Sequence, residues 1–446
     1  MDNQLLKGNV FKSLMIFAIP YMISNLLQVL YGSVDLLVVG QFGQTFDVSG
    51  VSIGSQVMSL ITNFVLGLTT GVTVLLGQYV GSHEENKLSK TVGAGILMSG
   101  IISIILTILL LVFNHQIVLL MNTPQEAILV TREYLFVCSI GVVFIIGYNV
   151  VSSILRGLGD SQTPLLFVFI ACIINIAADF ILVGYFHMGA IGAAIATVLA
   201  QGLSFVFAIV YLKKKGLGFS FHKKDICFSA FFNKILKIGF PVGFQSILVN
   251  LSFLIITIVI NGMGVVASAA VGVVEKLMGF LMLPSMALGA SLATIVAQNV
   301  GAKQYDRARQ SLKYAIIFCF GFAVIITTIC VIDGTLFTRI FTHDQTVIDQ
   351  GALYLKFYSI DCLLTSFLFC LNGYLNGYQK TVFTMVHSLT ATFLGRIPLT
   401  LLIAGLPGIT LLHMGIAAPL STVISLVMIY IYFKKTKFDT VKGNQS

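Results

Sequence analysis

Charge is what this chain has least of. Only 10% of its 446 residues are Asp, Glu, Lys or Arg, against about a quarter in a water-soluble globule. With 26 Lys+Arg, 17 Asp+Glu and 57% hydrophobic residues, at a mean hydropathy of +0.97, the chain cannot cover a globular surface with polar groups. The missing polar surface must face lipid, which excludes a soluble enzyme, a nucleic-acid-binding domain and a disordered scaffold. Tryptophan is absent, so any interfacial aromatic belt falls to the 15 tyrosines. The 7 cysteines are odd in number, sit mostly in apolar runs and show no CxxC or Cys/His spacing. Neither a disulfide framework nor a metal site is supported. No GxxxxGK[ST] loop occurs, so transport driven by ATP on this chain is unsupported too.

What is present is a series of apolar runs. A helix needs about 20 apolar residues to cross a hydrocarbon core of roughly 30 Å. Such runs lie near 12–39, 51–79, 92–114, 129–155, 164–186, 190–212, 234–262, 266–298, 312–337, 350–378, 383–405 and 411–433. They are apolar all round rather than alternating, which excludes a β-barrel. The expected fold is all-α and integral to the membrane, with twelve transmembrane helices. The first run is too long for a leader peptide and lacks a small-residue cleavage site, so it reads as a retained span. Lys7, Lys12, Lys87, Lys90, Arg156, the lysines of 213–237, Lys303, Arg307, Arg309, Lys313, Lys380, Lys434, Lys435, Lys437 and Lys442 all fall on one side of these spans. The opposite loops hold only Arg132 and Arg339, at span edges. This bias predicts a multi-pass protein of the cell membrane with both termini cytoplasmic. It also absorbs most of the formal charge of +9, without any nucleic-acid partner.

The chain repeats itself. Gln78-Tyr79-Val80-Gly81 is echoed by Gln298-Asn299-Val300-Gly301, and Ile19-Pro20 by Phe240-Pro241. Val51–Met58 pairs with Val271–Met278, and His187-Met188-Gly189 with His413-Met414-Gly415. These echoes predict two pseudo-symmetric six-helix lobes, 1–212 and 234–446, the second with a short cytoplasmic tail, joined by a cytoplasmic linker at 213–233. An amphipathic stretch at Phe228–Lys237 is expected along the membrane surface. Six spans per half return the chain to its starting side. Parallel repeats of this kind are a transporter architecture in which one bundle rocks against the other.

At this point the residues resemble a known family. Val34-Asp35 with Val39-Gly40 beyond, the Arg156-Gly157-Leu158-Gly159-Asp160-Ser161-Gln162-Thr163-Pro164 turn, and Asn175-x3-Asp179 are similar to the multidrug and toxic compound extrusion (MATE) transporters. The resemblance covers essentially the whole chain. It implies a V-shaped pair of six-helix lobes and the export of organic cations and other amphipathic compounds in exchange for inward-moving protons or sodium ions. It implies small-molecule substrates and the bilayer as partners, a working monomer, no enzymatic activity, and no cofactor or metal beyond the coupling ion. The branch it resembles most is that of the DNA-damage-inducible exporters. There, an Asp of the first span, an Asn-x3-Asp of the fifth and a Thr of the sixth form the cation-coupling site, which carries over onto Asp35, Asn175, Asp179 and Thr197. An alternative within the same superfamily is a flippase for lipids or lipid-linked oligosaccharides.

The residues support that site independently. Insertion scales charge about 2.5–3.5 kcal/mol for an Asp at a helix centre, so an intramembrane Asp must face a cavity, find a partner or keep its proton. At 1.5 Å per residue, Asp35, Asn175, Asp179 and Thr197 fall at similar depth in the outer half of the first lobe. Two carboxylates close together in low dielectric do not both ionise easily, the property a proton-coupling site needs. With the amide and the hydroxyl, the same oxygens would also suit Na⁺. At the repeat offsets, Asp35 corresponds to about Ile256 and Asp179 to about Gly405, so the second lobe lacks these acids. Gln28, Tyr31 and Asn149 are candidates to line the pocket. Lys276 and Asp361 are candidates for a central cavity, and Asp361 with Arg396 for a polar contact within or between the lobes. Pro20 and Pro241 are expected to kink the first and seventh spans.

Overall fold

The computed structural model describes residues 5–436; Lys437, Lys442 and most of the expected tail lie outside that range. The described residues contain helices and turns but no strand. We number the spanning elements α1 (Val10–Phe42), α2 (Thr45–Gly81), α3 (Glu85–Val112), α4 (Ile128–Gly157), α5 (Gln162–Tyr185) and α6 (Gly189–Lys215) in the first half of the chain. The second half holds α7 (Ala230–Asn261), α8 (Val265–Leu281 and Leu283–Gly301), α9 (Tyr305–Asp333), α10 (Gln345–Tyr358 and Ile360–Gly377), α11 (Thr381–Ala404) and α12 (Leu411–Thr436). Among the described residues eleven helices are long and apolar enough to cross a membrane, and the two segments of α10 make a twelfth.

Two spans expected to be continuous are broken. In α8 the helix stops at Leu281 and restarts at Leu283. Pro284, in the first turn of the new segment, has no N–H to give and suits that position. In α10 the segments meet at Ser359 with a bend of 48°. The Thr327 hydroxyl donates to the Ser359 carbonyl at 2.8 Å, satisfying an acceptor at the break. By contrast, α1 and α7 run on as helices through Pro20 and Pro241. The Ser24 hydroxyl donates to the Pro20 carbonyl at 2.8 Å.

The Arg156–Pro164 turn is a helix-to-helix connector. Gly159 takes a positive φ of 95°, which glycine allows without strain. Asp160 then accepts from the amides of Gln162 and Thr163 at 3.1 and 2.9 Å, capping the start of α5. Asp47 does similar work at the other end of the bundle. It accepts from the Gln44 amide at 2.9 Å at the start of α2 and from the Ala190 amide at 3.1 Å at the start of α6.

The chain divides into two compact units, Met1–Gly243 with Thr294–Ala308, and Phe244–Ala293 with Arg309–Ser446. These boundaries differ from the linker at 213–233 because the start of α7 and the end of α8 pack into the first unit. Glycines make that possible. A Cβ at Gly71 would strike the Ile235 carbonyl, and one at Gly239 the Leu68 carbonyl. The two Gln-x-Val-Gly echoes face each other directly: a Cβ at Gly81 would strike the Gln298 carbonyl, and one at Gly301 the Gln78 carbonyl. Gln298 also donates across to the Gly157 carbonyl at 2.9 Å. Much of the linker is docked as well, since Ser89 of α3 donates to Asp225 at 2.5 Å and accepts from the His222 amide at 3.1 Å. From Ala230 onward the amphipathic stretch is simply the first turns of α7.

Within the first unit α4 is central, packed against α2 and α6, while α1 lies on α5. In the second unit, Val271, Val274, Leu277 and Met278 of α8 share a core with Tyr354, Leu355, Tyr358 and Cys362 of α10.

Candidate functional site

The first unit buries two carboxylates. Asp35 sits two turns before the end of α1 and is 5% exposed. Asn175 and Asp179, one turn apart on α5, are 1% and 0% exposed. Directly after Asp179 the helix widens into a π turn over Phe180–Tyr185, an irregularity that recurs at functional positions. It ends in a tight reversal where His187 and Gly189 take φ of 53° and 54°. This reversal brings α6 back alongside, and Thr197 of α6 donates its hydroxyl to Asp35 Oδ2 at 3.1 Å.

Asp35 meets Asn175 and Asp179 at side-chain interaction range. These contacts do not close hydrogen bonds. Asp35 Oδ1, both oxygens of Asp179 and both polar atoms of Asn175 are buried without a hydrogen-bond partner. Buried polar groups are ordinarily paired, so these four open oxygens, with the Asn175 Nδ2 donor beside them, form a cradle of oxygen atoms. No Lys or Arg is among the residues that form it. Two carboxylates, an amide and a hydroxyl in that arrangement can share a proton or ligate a small hard cation such as Na⁺.

Of the candidate lining residues, Tyr31 belongs to this chamber. It stands one turn before Asp35, and its hydroxyl accepts from Gln201 Nε2 at 3.0 Å. Gln28 is partly exposed on α1, two turns from the acid. Asn149 does not serve the site through its amide nitrogen, which donates to the Ile145 carbonyl of its own helix at 2.8 Å. Sequence reasoning missed Gln201, whose Oε1 is another buried atom without a partner. Its place one turn after Thr197 on the same face of α6 was the available signal. It also missed Tyr134 of α4, whose hydroxyl lies close enough to feel the Asp35 charge.

The second unit holds the other intramembrane charges. Lys276 is exposed, opposite the face of α8 that buries Val274, Leu277 and Met278. Asp361 is 1% exposed and accepts from the Thr422 hydroxyl at 2.6 Å. Arg396 approaches it to 4.0 Å, so this polar contact lies within one unit.

Comparison with known proteins identifies the scaffold that carries these residues. The MatE family pattern matches residues 20–181 and again 241–402. The chain is 26% identical over 437 residues to "Probable multidrug resistance protein YpnP" of Bacillus subtilis, covering 98% of this chain and 97% of that protein. It is 24% identical to "Multidrug export protein MepA" of a bovine Staphylococcus aureus strain, covering 97% and 96% of the two chains. In fold it is similar to a multidrug resistance MATE transporter of the MOP superfamily solved in an outward-facing conformation, with a TM-score of 0.92 at 19% identity over 99% of both chains. The two matched ranges begin and end 221 residues apart, and at that offset Asp179 falls on Thr400 rather than Gly405. The echo at His187 and His413 overshoots because the connector after α11 is longer than the one after α5. Two matched halves, twelve spans and relatives of one kind along the full length place this chain in the multidrug and toxic compound extrusion (MATE) family of membrane transporters.

Proposed function

We propose that this transporter exports amphipathic, cationic organic compounds across the cell membrane in exchange for H⁺ or Na⁺, and that the coupling cation binds between Asp35 and Asp179. The observation that carries this reading is the cradle of open oxygen atoms around two buried acids with no basic residue among them. An ionised pair there is strongly favoured to take up a cation, because like charges at short range in low dielectric repel. Asn175 and Thr197 supply neutral oxygens that hold either ion, and Gln201 orients Tyr31 beside them. Occupancy of the chamber by the coupling ion and by substrate alternates, and the two halves rock between inward and outward access. Pro20, four turns below Asp35 on the same helix, is where α1 changes its bend as the chamber fills and empties. The protein works as a single chain with both termini in the cytoplasm, requires no cofactor, and groups with the DNA-damage-inducible branch because its acid pair lies in the first half.

The test is efflux of a fluorescent organic cation from proteoliposomes under separately imposed H⁺ and Na⁺ gradients. Wild type is compared with Asp35→Asn and Asp179→Asn, which keep the side-chain size and remove the charge. Both variants are expected to insert and purify normally and to lose gradient-driven flux. Full flux from either variant under both gradients would refute the assignment.

A further inference from the structure

A second chamber exists in the second unit. Its lining includes Phe253, Ile256, Glu275, Tyr354, Tyr358 and Arg396, joined by Thr400 and Ala418. The register of the two halves makes this lining informative. Within the matched ranges, carried forward by 221 residues, Asp35 falls on Ile256, Asn175 on Arg396 and Asp179 on Thr400. All three line the one cavity. The chamber therefore occupies the same place in its half as the acidic chamber does in the first.

Its chemistry differs in two respects. The acids come from other helices, Glu275 of α8 in the lining and Asp361 of α10 beside Arg396, and a guanidinium stands where the first chamber has the Asn175 amide. Arg396 is held on several sides. Its Nη2 is 4.0 Å from Asp361 Oδ2, its Nε donates to the Ser421 hydroxyl at 3.3 Å, and its plane lies 5.1 Å from the Phe253 ring centroid. Glu275 is close enough to interact with it. A π turn over Ala391–Arg396 ends on this residue. The Ile397-Pro398 step that follows gives the turn a cause, since a proline removes an N–H from the helix ladder. The open space is about 20 Å³, room for a single water-sized guest and too little for an organic substrate.

We propose that Arg396 is a built-in cation: its guanidinium occupies the second-half counterpart of the coupling site, so that this chamber exchanges no ion and coupling is confined to the first half. Each half brings two acids together, Asp35 with Asp179 in the first, and in the second Glu275 in the chamber lining with Asp361 4.0 Å from Arg396. In the first the balancing positive charge must come from outside and can leave. In the second it is covalently attached. Guanidinium suits the role because it stays charged under all physiological conditions and bonds in several directions at once. The statement that the first chamber exchanges a cation rests on the proposed function above; the statement that the second does not is tested separately.

The experiment measures saturable ²²Na⁺ binding to the purified full-length protein in a background of Asp35→Asn with Asp179→Asn, where the first chamber is silenced. With Arg396 intact, no saturable Na⁺ is expected. Adding Arg396→Gln is expected to create one site per chain, which a further Asp361→Asn or Glu275→Gln removes, whereas Arg396→Lys creates none. Na⁺, but not choline, should raise the melting temperature of the Arg396→Gln chain by a few degrees through preferential binding to the folded state. Absence of any new site in a folded Arg396→Gln chain would overturn the proposal. If Arg396→Gln does not fold, the first arm still decides: saturable Na⁺ in the silenced background that is lost with Asp361→Asn shows that the second chamber exchanges an ion with Arg396 in place. Wild-type binding reads the first chamber alone, so the two ideas fail independently.

Discussion

The crossing of α2 and α8 at Gly81 and Gly301 offers a sharp test of how the first unit is held together. Each glycine faces the backbone of the other helix, the Gln298 carbonyl in one case and the Gln78 carbonyl in the other. A methyl group at either position meets main-chain atoms that have no rotamer to escape into, so the helices must separate. Overpacking of this kind costs about 1–3 kcal/mol. Separation would also stretch the buried bond from Gln298 Nε2 to the Gly157 carbonyl, now 2.9 Å, and a weakened bond adds up to ~1 kcal/mol. Gly81→Ala and Gly301→Ala should each lower the melting temperature of the purified protein by several degrees. The double variant should lose less than the sum, because once the helices have parted the second methyl finds room. The control is Gly100→Ala on α3, a helical glycine whose added Cβ would meet nothing within 4 Å. That substitution should leave stability unchanged or raise it by about 0.5–1 kcal/mol. If Gly81→Ala melts no lower than Gly100→Ala, the close crossing is not a feature of the folded protein.

Two further outcomes follow from the polar contacts at the edges of the helices. Arg307 gathers the N-terminal segment, donating to the carbonyls of Leu5, Lys7 and Gly8 at 3.1, 2.7 and 2.6 Å. Arg307→Lys keeps the charge but cannot reach three carbonyls at once, so limited proteolysis should cut before residue 9 faster, with transport of any organic cation slowed less than in Asp179→Asn. Asp344 caps α10, accepting from the Thr346 and Val347 amides at 2.9 and 3.4 Å and from the Thr346 hydroxyl at 2.6 Å. These bonds, the Thr346 hydroxyl first, hold its carboxyl below the usual carboxylate range. A depressed folded value contributes stability that is full above the unfolded value and lost as pH falls through the folded one. Hydrogen-exchange protection factors in the first turn of α10 should therefore fall on acidification below about pH 4, and Asp344→Ala should show low protection at every pH.

The twelve apolar runs were legible because a hydrocarbon core leaves the backbone no option but helix. The breaks in α8 and α10 were not, since mean hydropathy is blind to a single residue such as Met282 or Ser359. Pro284 was a visible cue for the first; nothing local marked the second. The chamber residues could be gathered from helical depth alone, because Asp35, Asn175, Asp179 and Thr197 are too costly in lipid to point outward. The residue type does not reveal that the Asn149 amide folds back onto the Ile145 carbonyl. Nor does its position in a span reveal that Lys276 lies on the exposed face of α8. Arg396 could not be interpreted until the repeat register was known to within one residue, and short echoes such as His187 and His413 fix it only to within five.

That register separates two kinds of residue. Gly81 and Gly301 recur because each supplies one side of the same close crossing, and Pro20 and Pro241 recur inside the corresponding helices α1 and α7. Asp35 does not recur: its counterpart is Ile256. A residue retained in both halves is explained by the scaffold, whereas one present in a single half must be explained by what that half alone does. By this criterion Asp35, Asp179 and Arg396 fall in the second class, as do Glu275 and Asp361, which meet no acid in the first half at an offset of 220 or 221. The asymmetric residues thus include the intramembrane acids of both halves and the one guanidinium. An asymmetric charge pattern on a repeated frame is what the proposal of a tethered cation requires: the guanidinium of Arg396 stands beside Asp361 in one half, and no Lys or Arg is among the residues gathered around Asp35 and Asp179 in the other.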